Sequence, residues 1–221
     1  IPFFNTQMGK GAVNAGSNLY IGTAALSERD WVHTAIDRAD LILSIGHDTV
    51  EKPPFLMRSA GGPKVIHVGY QSANVEQVYH PDAEVIGDIG ATVTGLAERL
   101  GKLPKQTKTL ELRQRILGKI NARAEEDRFP VTPQRLVHDV RAVMPEDGIV
   151  CLDNGMYKIW FARNYRTHVA NTLLLDNALA TMGAGLPSAM MAAILNPKRR
   201  VMAVCGDGGF MMNSQEMETA V

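Results

Sequence analysis

A glycine-rich turn with a single carboxylate is the clearest candidate for chemistry in this chain. The apolar run at residues 201–205 predicts a buried parallel strand, and Gly206, Asp207, Gly208 and Gly209 follow it directly. Glycines let the backbone turn sharply and bring amide N–H groups close to a ligand. A strand, a glycine turn and the start of a helix together form an anion-binding site at the carboxyl edge of a sheet.

The charged residues of this turn indicate which kind of anion it could bind. The turn carries Asp207 and no lysine, which excludes a P-loop, where a lysine offsets the phosphate charge. A carboxylate that faces phosphates needs a cation between them, and Mg²⁺ is usually held by one or two carboxylates plus phosphate oxygens. The turn therefore predicts a Mg²⁺–diphosphate site. The alternative is a structural turn in which Asp207 only accepts hydrogen bonds from local backbone amides.

Helix caps are also predicted in this part of the chain. After the turn, Asn213 is a candidate cap, Glu216 follows three residues later as in a capping box, and the helix continues to Val221. Further upstream, Thr132 and Pro133 predict an N-cap and a first helical residue for a helix that reaches about Met144.

Composition excludes several classes of function. The 23 basic and 23 acidic residues cancel, so no net charge favours nucleic acid or an anionic membrane surface. No apolar run approaches the roughly 18 residues that span a bilayer, so no membrane partner is expected. Cys151 and Cys205 both fall in predicted buried strands. Buried cysteines of this kind are typical of core residues in a reducing compartment, which predicts a cytoplasmic protein without a disulfide between them.

Strands and helices alternate along the first hundred residues. Apolar strands that end in glycine are predicted at residues 40–46 and 64–69, with a shorter strand at 83–87. Helices are predicted at about 28–39 and 91–100. Because strands joined by helical crossovers pair in parallel, this part of the chain predicts a doubly wound sheet.

The composition becomes charged and polar between residues 101 and 129, which predicts an amphipathic linker helix. The apolar residues at helical spacing in this linker are Leu112, Ile116, Leu117, Ile120 and Ala124. A second series of strands and helices follows. The predicted fold class is therefore α/β, with two doubly wound parallel-sheet units joined by this helix. We place the first unit at residues 1–104, the linker at 105–130 and the second unit at 131–221.

Three segments of the second unit resemble, in order, the diphosphate-binding C-terminal domain of thiamine-diphosphate enzymes. They are residues 151–155 with Trp160, residues 180–187, and residues 206–210 with 216–220. Members of the acetolactate synthase group have a similar Thr-Met-Gly-x-Gly-Leu-Pro run, and a similar Gly-Asp-Gly-x-Phe segment followed by a Glu-x-x-Thr-Ala helix. Residues 1–100 resemble the central domain of the same enzymes. Together these segments cover nearly the whole chain.

The resemblance implies a role for each matching residue. Asp207 corresponds to the metal-binding aspartate, and Gly208 and Gly209 correspond to positions whose amides face the diphosphate. Met182 corresponds to the apolar residue under the thiazolium ring that holds the cofactor bent, and it is the one catalytic candidate. The alternative for Met182 is a core methionine that fills a gap. Ala180 corresponds to the position whose backbone carbonyl accepts a hydrogen bond from the aminopyrimidine.

The first of the three segments departs from the pattern of its relatives. They often place a glycine there, followed by polar residues and a histidine against the diphosphate. This chain has Gly155, Met156 and Tyr157 instead, and only Tyr157 has a hydroxyl that can donate to phosphate. Gly155 and Tyr157 are therefore cofactor-binding candidates, whereas Asn154 serves a turn equally well.

A loop in the first unit bears on flavin binding. Many biosynthetic acetolactate synthases carry an arginine after the corresponding strand that contributes to binding FAD. Residues 46–52 contain no arginine here, and Glu51 adds negative charge, which resembles the flavin-independent catabolic type. The expected cofactors are thiamine diphosphate and Mg²⁺, without FAD. His47 and Asp48 lack a third ligand nearby, so a loop is favoured there over a metal site.

The resemblance implies a lyase or transferase activity. The expected enzyme decarboxylates pyruvate and adds the resulting enamine to a second 2-oxo acid to give 2-acetolactate, in branched-chain amino acid or acetoin metabolism. A homodimer or homotetramer is expected. The family's activating glutamate and the asparagine that completes its metal site are expected before Ile1 and after Val221, so we expect the chain to be a fragment and to be inactive by itself.

Two alternatives remain open. The first is another member of the same superfamily, such as a 2-oxo-acid decarboxylase, a glyoxylate carboligase or a sulfoacetaldehyde acetyltransferase. The second is a non-catalytic nucleotide-binding α/β protein whose site lies at the strand ends Gly46 and Gly69. No Gly-x-Gly-x-x-Gly follows a strand in this sequence, which argues against the second alternative.

Overall fold

The computed structural model describes residues 1–24, 30–47, 62–73, 80–103, 107–177 and 179–221, with the backbone alone for residues 107 and 108. The strands are β1 (Phe3–Asn5), β2 (Tyr20–Thr23), β3 (Leu41–Ile45), β4 (Lys64–Gly69), β5 (Ala83–Ile86), β6 (Ile149–Leu152), β7 (Leu173–Leu174) and β8 (Val201–Val204). The helices are α1 (His33–Ile36), α2 (Ile89–Leu100), α3 (Thr107–Ile120), α4 (Pro133–Val143), α5 (Met156–Asn164), α6 (Gly185–Leu195), α7 (Asp207–Met212) and α8 (Glu216–Thr219).

The strands form three parallel sheets. Strand β1 pairs with β2, the second sheet has the order β3-β4-β5, and the third has the order β7-β6-β8. In the third sheet, α5 connects β6 to β7 and α6 connects β7 to β8, because each parallel strand must be reached by a crossover. The predicted α/β fold class with parallel sheets is confirmed.

Strand β6 is buried on both faces, which explains its continuous apolar sequence. Val150 and Leu152 point to one face, where they join a core with α4 and α5. Ile149 and Cys151 point to the other face, where they pack against α6. Successive side chains of a strand alternate between its faces, so a strand covered by helices on both sides needs an apolar residue at every position.

The predicted amphipathic linker helix is α3, and it packs on the first unit. Its residues Ile116, Leu117 and Ile120 are buried in one core with β2, β3 and β4. The helix ends at Ile120, and Ala124 lies in the turns that follow. Burial of this apolar stripe removes it from water, which is the main source of stability for a helix of this length.

Of the two predicted helix caps, one is present in the structure and one is not. Thr132 caps α4 as predicted, because its Oγ1 accepts from the Arg135 amide at 3.3 Å. Asn213 does not cap α8, and the prediction of a capping box there is wrong. Its side-chain amide donates to the Gly183 carbonyl at 2.7 Å, so a distant acceptor replaces the local cap.

The C-terminal part of α5 contacts the first unit. Arg163 Nη2 lies 3.2 Å from Asp30 Oδ2, and the Asp30 side chain is almost completely buried. The neighbouring Asn164 donates to the Ile120 carbonyl at 2.8 Å. These contacts connect the end of α5 to Asp30 and to the last residue of α3.

No helix within the described residues is both long enough and apolar enough to cross a membrane. Both cysteines carry free thiols.

Candidate functional site

The three segments singled out in the second unit meet around one buried carboxylate, that of Asp153. Asp153 follows β6 directly and is only 1% exposed. Its Oδ1 accepts from the Asn154 amide at 2.7 Å and from the Gly183 amide at 2.8 Å, and its Oδ2 lies 3.0 Å from the same Gly183 nitrogen. A buried carboxylate needs several donors to offset its lost hydration, and backbone amides supply them here.

Two glycines allow the other segments to approach this carboxylate. A Cβ on Gly185 would lie 2.7 Å from Asp153 Cβ, and a Cβ on Gly209 would overlap Asp153 Oδ2. Any side chain at these positions would therefore push the segments apart. Asp153 thus connects all three segments, although the sequence analysis did not include it among the site residues. The available signal was an acidic residue at the end of a buried strand, followed by Asn-Gly.

The glycine turn places its carboxylate at the surface. Gly206 precedes α7 in an extended conformation, and Asp207 is the exposed first residue of that helix. Asp207 Oδ1 accepts from the Gly208 amide at 2.8 Å, which is the local contact expected of a structural turn. A carboxylate has about four lone-pair sites, so this one hydrogen bond leaves capacity for a cation. Gly209 is buried against Asp153.

Met182 lies beside this turn. Its side chain is 42% exposed, which differs from a methionine that fills a gap in a core. Its Cε would lie 3.3 Å from a Cβ built on Gly208, so the methyl group is close to the turn backbone. Met182 and Gly208, both predicted as cofactor-binding residues, are therefore neighbours.

The carbonyl of Ala180 faces the first segment. It accepts a hydrogen bond from Asn154 Nδ2 at 2.9 Å, and both residues lie near the surface. A carbonyl oxygen has two lone pairs, so one further donor can still bind. Asn154 therefore connects the first and second segments, in addition to its backbone contact with Asp153.

Tyr157 contacts the glycine turn from the first segment. Its hydroxyl accepts from the Gly206 amide at 3.0 Å. Its ring covers Gly155, where an added Cβ would lie 2.6 Å from the ring carbon Cε1. Burial raises the pKa of Tyr157, the Gly206 hydrogen bond opposes this rise, and the negative charge of Asp153 adds to it. The hydroxyl therefore keeps its proton at neutral pH, and it can donate that proton while it accepts from Gly206.

The donor set limits the kind of metal site. Among the residues that the structure describes, no group of three His, Cys, Asp or Glu side chains could hold a metal ion. A cation at Asp207 would therefore need phosphate oxygens or water among its other ligands. Such a set of oxygens is typical of Mg²⁺ bound with a phosphorylated molecule. Asp48 and residues 49–52 of the flavin-related loop lie outside the described residues.

The arrangement is suited to a phosphorylated ligand with an apolar part. Around one glycine turn it has the exposed carboxylate of Asp207, the Tyr157 hydroxyl, which can still donate its proton, and the exposed side chain of Met182. The predicted residues Gly155, Tyr157, Met182, Gly208, Gly209 and Asp207 are brought together here, and Ala180 is connected to them through Asn154.

Comparisons with known proteins identify related families for both parts of the chain. Residues 153–221 match the family described as "Thiamine pyrophosphate enzyme, C-terminal TPP binding domain", and residues 1–96 match "Thiamine pyrophosphate enzyme, central domain". The catabolic acetolactate synthase of Raoultella terrigena is 35% identical over 219 residues, which cover 96% of this chain and 39% of that protein.

Two further relatives have lower sequence identity to this chain. The acetolactate synthase of Bacillus subtilis (strain 168) is 29% identical over 230 residues, covering 100% of this chain and 40% of the relative. The putative thiamine pyrophosphate-containing protein YdaP of the same organism is 26% identical over 223 residues, covering 100% of this chain and 38% of the relative. The chain thus spans about two fifths of the length of these relatives.

Proposed function

Since this chain belongs to the thiamine pyrophosphate enzymes, we propose that the cluster around Asp153 binds the diphosphate end of thiamine diphosphate together with one Mg²⁺ ion. The observation that supports this proposal most directly is the position of Asp207, Tyr157 and Met182 around one glycine turn. Each of the three side chains has a separate task in the proposal.

Asp207 is the proposed protein ligand of the cation. Its exposed carboxylate would repel a diphosphate at close range, so the two negative groups need a divalent cation between them. Mg²⁺ keeps near-octahedral coordination and combines one or two carboxylates with phosphate oxygens and waters. The contact with the Gly208 amide fixes the orientation of the carboxylate without using all of its lone pairs.

Tyr157 is the proposed donor to the diphosphate. Its hydroxyl already accepts from Gly206, so its orientation is set by the turn that would carry the ligand. The raised pKa keeps the proton on the hydroxyl and makes it a donor. This residue replaces the histidine that relatives often place in the segment, and it performs the same task with a neutral group.

Met182 is the proposed support for the bound cofactor ring. Thiamine diphosphate supplies carbanion-stabilising chemistry when it is bound. An exposed, flexible and apolar side chain next to the turn can pack under a ring and exclude water from one side of it. The Ala180 carbonyl, already oriented by Asn154, is the proposed acceptor for a donor on the same ligand.

The whole enzyme is proposed to be an acetolactate synthase that acts on pyruvate and a second 2-oxo acid. Support comes from the acetolactate synthases among its relatives, the first of which is named as catabolic. We also propose that it assembles as a homo-oligomer in the cytoplasm. The absence of an arginine from residues 46–52 supports the further proposal that it works without FAD. Another thiamine-diphosphate activity is the second candidate, because one relative is named only for the cofactor.

Product analysis of the whole enzyme tests this assignment. The enzyme is incubated with pyruvate, thiamine diphosphate and Mg²⁺, without FAD, and CO₂ and 2-acetolactate are measured. Formation of 2-acetolactate under these conditions is expected. Release of acetaldehyde in its place would support a decarboxylase, and activity that depends on added FAD would contradict the flavin proposal.

A further inference from the structure

A cavity with several polar and charged side chains in its lining lies at the opposite end of α5 from the glycine turn. It has a volume of about 730 Å³, is partly open to solvent, and is lined by the turns after α3, by α4 and by the residues that end and follow α5. The nine residues of α5 separate the two places by about 13 Å at 1.5 Å of rise per residue. None of the residues assigned to the cluster around Asp153 lines this cavity.

Arg141 places a fixed positive charge at the cavity. Its Nη1 donates to the Tyr165 hydroxyl at 2.8 Å, and its Nη2 donates to the carbonyls of Met144 and Pro145 at 2.5 and 2.6 Å. The guanidinium also lies over the Tyr165 ring, 4.8 Å from its centroid. All of these partners are uncharged, and no carboxylate of the described residues forms an ion pair with Arg141. The group is thus held in place without its charge being neutralised.

Most N–H groups of Arg141 are already used in these hydrogen bonds, whereas those of Arg166 are not. Arg166 lines the same cavity, and its guanidinium has no hydrogen-bond or ion-pair partner within the described residues. Arg141 also contacts the backbone of Arg166, because the Arg166 carbonyl accepts from Arg141 Nη1 at 3.4 Å. A guanidinium has five N–H donors in a planar fork that matches phosphate oxygens.

The acidic residues around the cavity do not cancel these charges. Glu126 is paired with Arg123, whose Nε lies 2.5 Å from Glu126 Oε2. Glu125 is exposed to water, which screens its charge. The two remaining guanidiniums match a dianion, and a phosphate monoester carries between about −1.5 and −2 charge at pH 7.

Two amide side chains also belong to the lining of the cavity. Gln134 and Asn164 both line the cavity, and Gln134 Oε1 and Asn164 Oδ1 have no hydrogen-bond partner among the described residues. Both oxygens are closed to solvent, so they do not contact a molecule in the cavity, and the arginines alone define the chemistry of the ligand. The cavity volume also exceeds what an inorganic ion requires and lies in the range of small-molecule sites, about 300–1,000 Å³.

We propose that this cavity binds a small phosphate monoester, with its phosphate on Arg166 in the field of Arg141. Such a ligand would connect α4, the turns after α3 and the end of α5. The site is separate from the proposed cofactor site, so its existence does not depend on the proposed function.

Calorimetric titration with glycerol 3-phosphate at constant ionic strength and pH 7 tests this proposal. Saturable binding to the wild-type protein is expected, and glycerol without the phosphate should not bind. Arg166→Gln should weaken glycerol 3-phosphate binding at least about tenfold, because it removes a charge-assisted hydrogen bond. Arg166→Lys should lose part of the affinity, since it keeps the charge without the planar fork.

Arg115→Gln is the matched control, because Arg115 is exposed on α3 and does not line the cavity. This variant should bind as the wild type does. The melting temperature of each variant without ligand separates a loss of binding from a loss of folding, and Arg166→Lys covers the case in which Arg166→Gln is unstable. No saturable binding to the wild type, or equal binding to Arg166→Gln, would overturn the proposal.

Discussion

The backbone nitrogen of Gly183 lies 2.8 Å and 3.0 Å from the two carboxylate oxygens of Asp153. Gly183 adopts a φ of +89°, a conformation that favours glycine, and its carbonyl accepts from the Asn213 side chain. This one residue is therefore bound on both sides, by the end of β6 through its nitrogen and by the residue after α7 through its oxygen. The geometry of the candidate site depends on this pair of contacts.

Asp153→Ala should destabilise the protein by about 2–3 kcal/mol, because it leaves the amides of Asn154 and Gly183 without an acceptor in a buried place. Asp153→Asn keeps one acceptor oxygen and should cost less. Urea unfolding of the variants measures both changes. Asp147→Asn is the control, since Asp147 is exposed, and it should stay within about 0.5 kcal/mol of the wild type. Equal stability of Asp153→Ala and wild type would show that this carboxylate does not hold the segments together.

Gly209→Ala and Gly118→Ala should change stability in opposite directions. At Gly209 the added methyl group would overlap the Asp153 carboxylate, and overpacking of this kind costs typically about 1–3 kcal/mol. At Gly118, inside α3, the methyl group would meet nothing within 4 Å, so the helix should gain about 0.5–1 kcal/mol. Thermal unfolding of the two variants compares them. A stabilising Gly209→Ala would mean that the turn and Asp153 are farther apart than described.

Lys10 should make stability depend on pH. Burial lowers the pKa of Lys10 to about 7, and its Nζ donates to Thr23 Oγ1 at 3.1 Å. The unfolded chain keeps this proton up to about pH 10.4, so between these values the unfolded state binds more protons than the folded state. The free energy of unfolding should therefore rise with pH above 7, by at most about 1.4 kcal/mol per pH unit. Below pH 7 both states keep the proton, so Lys10 should cause no pH dependence of stability there.

Lys10→Met removes this titrating group and keeps most of its volume. The variant should lose the rise between pH 7 and 9.5, and it should be more stable than the wild type below pH 7. Denaturant unfolding across this range provides the comparison. Burial raises the pKa of the neighbouring Tyr20, so that residue ionises above the tested range. Parallel pH curves for the two proteins would contradict the assignment to Lys10.

Tyr157→Phe should weaken Mg²⁺-dependent binding of thiamine diphosphate by about tenfold, the effect of losing one hydrogen bond worth about 1.5 kcal/mol. The affinity should fall for two reasons: the hydroxyl accepts from the Gly206 amide and so orients the turn, and it is the proposed donor to the diphosphate. Calorimetric titration measures the affinity. Tyr70→Phe serves as the control, since Tyr70 is 66% exposed, and its affinity should equal that of the wild type. An unchanged affinity in Tyr157→Phe would remove Tyr157 from the site.

The sequence was informative wherever a local pattern determines the structure. Apolar runs that end in glycine became β3, β4 and β5, and the apolar stripe between residues 112 and 120 became the buried face of α3. These elements are predictable because period and turn chemistry act over a few residues. The roles of Gly155, Tyr157, Ala180, Met182 and Asp207, the domain boundaries and the flavin-related loop stay predictions.

Contacts between distant segments were not predictable in the same way. Asp153 and Gly183 are thirty residues apart, and no local pattern indicates that one will accept from the other. Asn213 has the residue type of a helix cap, yet its amide binds the Gly183 carbonyl, which only the packing of α6 and α7 brings within reach. The cavity beside Arg141 and Arg166 depends on three separate elements in the same way.

The central claim is that Asp207 holds the cation through which the chain binds a diphosphate. The most direct measurement is calorimetric titration of thiamine diphosphate into the protein with saturating Mg²⁺ and again with chelator, for wild type, Asp207→Asn and the exposed control Asp147→Asn. Wild type and Asp147→Asn should bind with Mg²⁺ and lose at least about tenfold in affinity without it, whereas Asp207→Asn should bind equally weakly in both conditions. Mg²⁺-dependent binding of unchanged affinity in Asp207→Asn would contradict the claim.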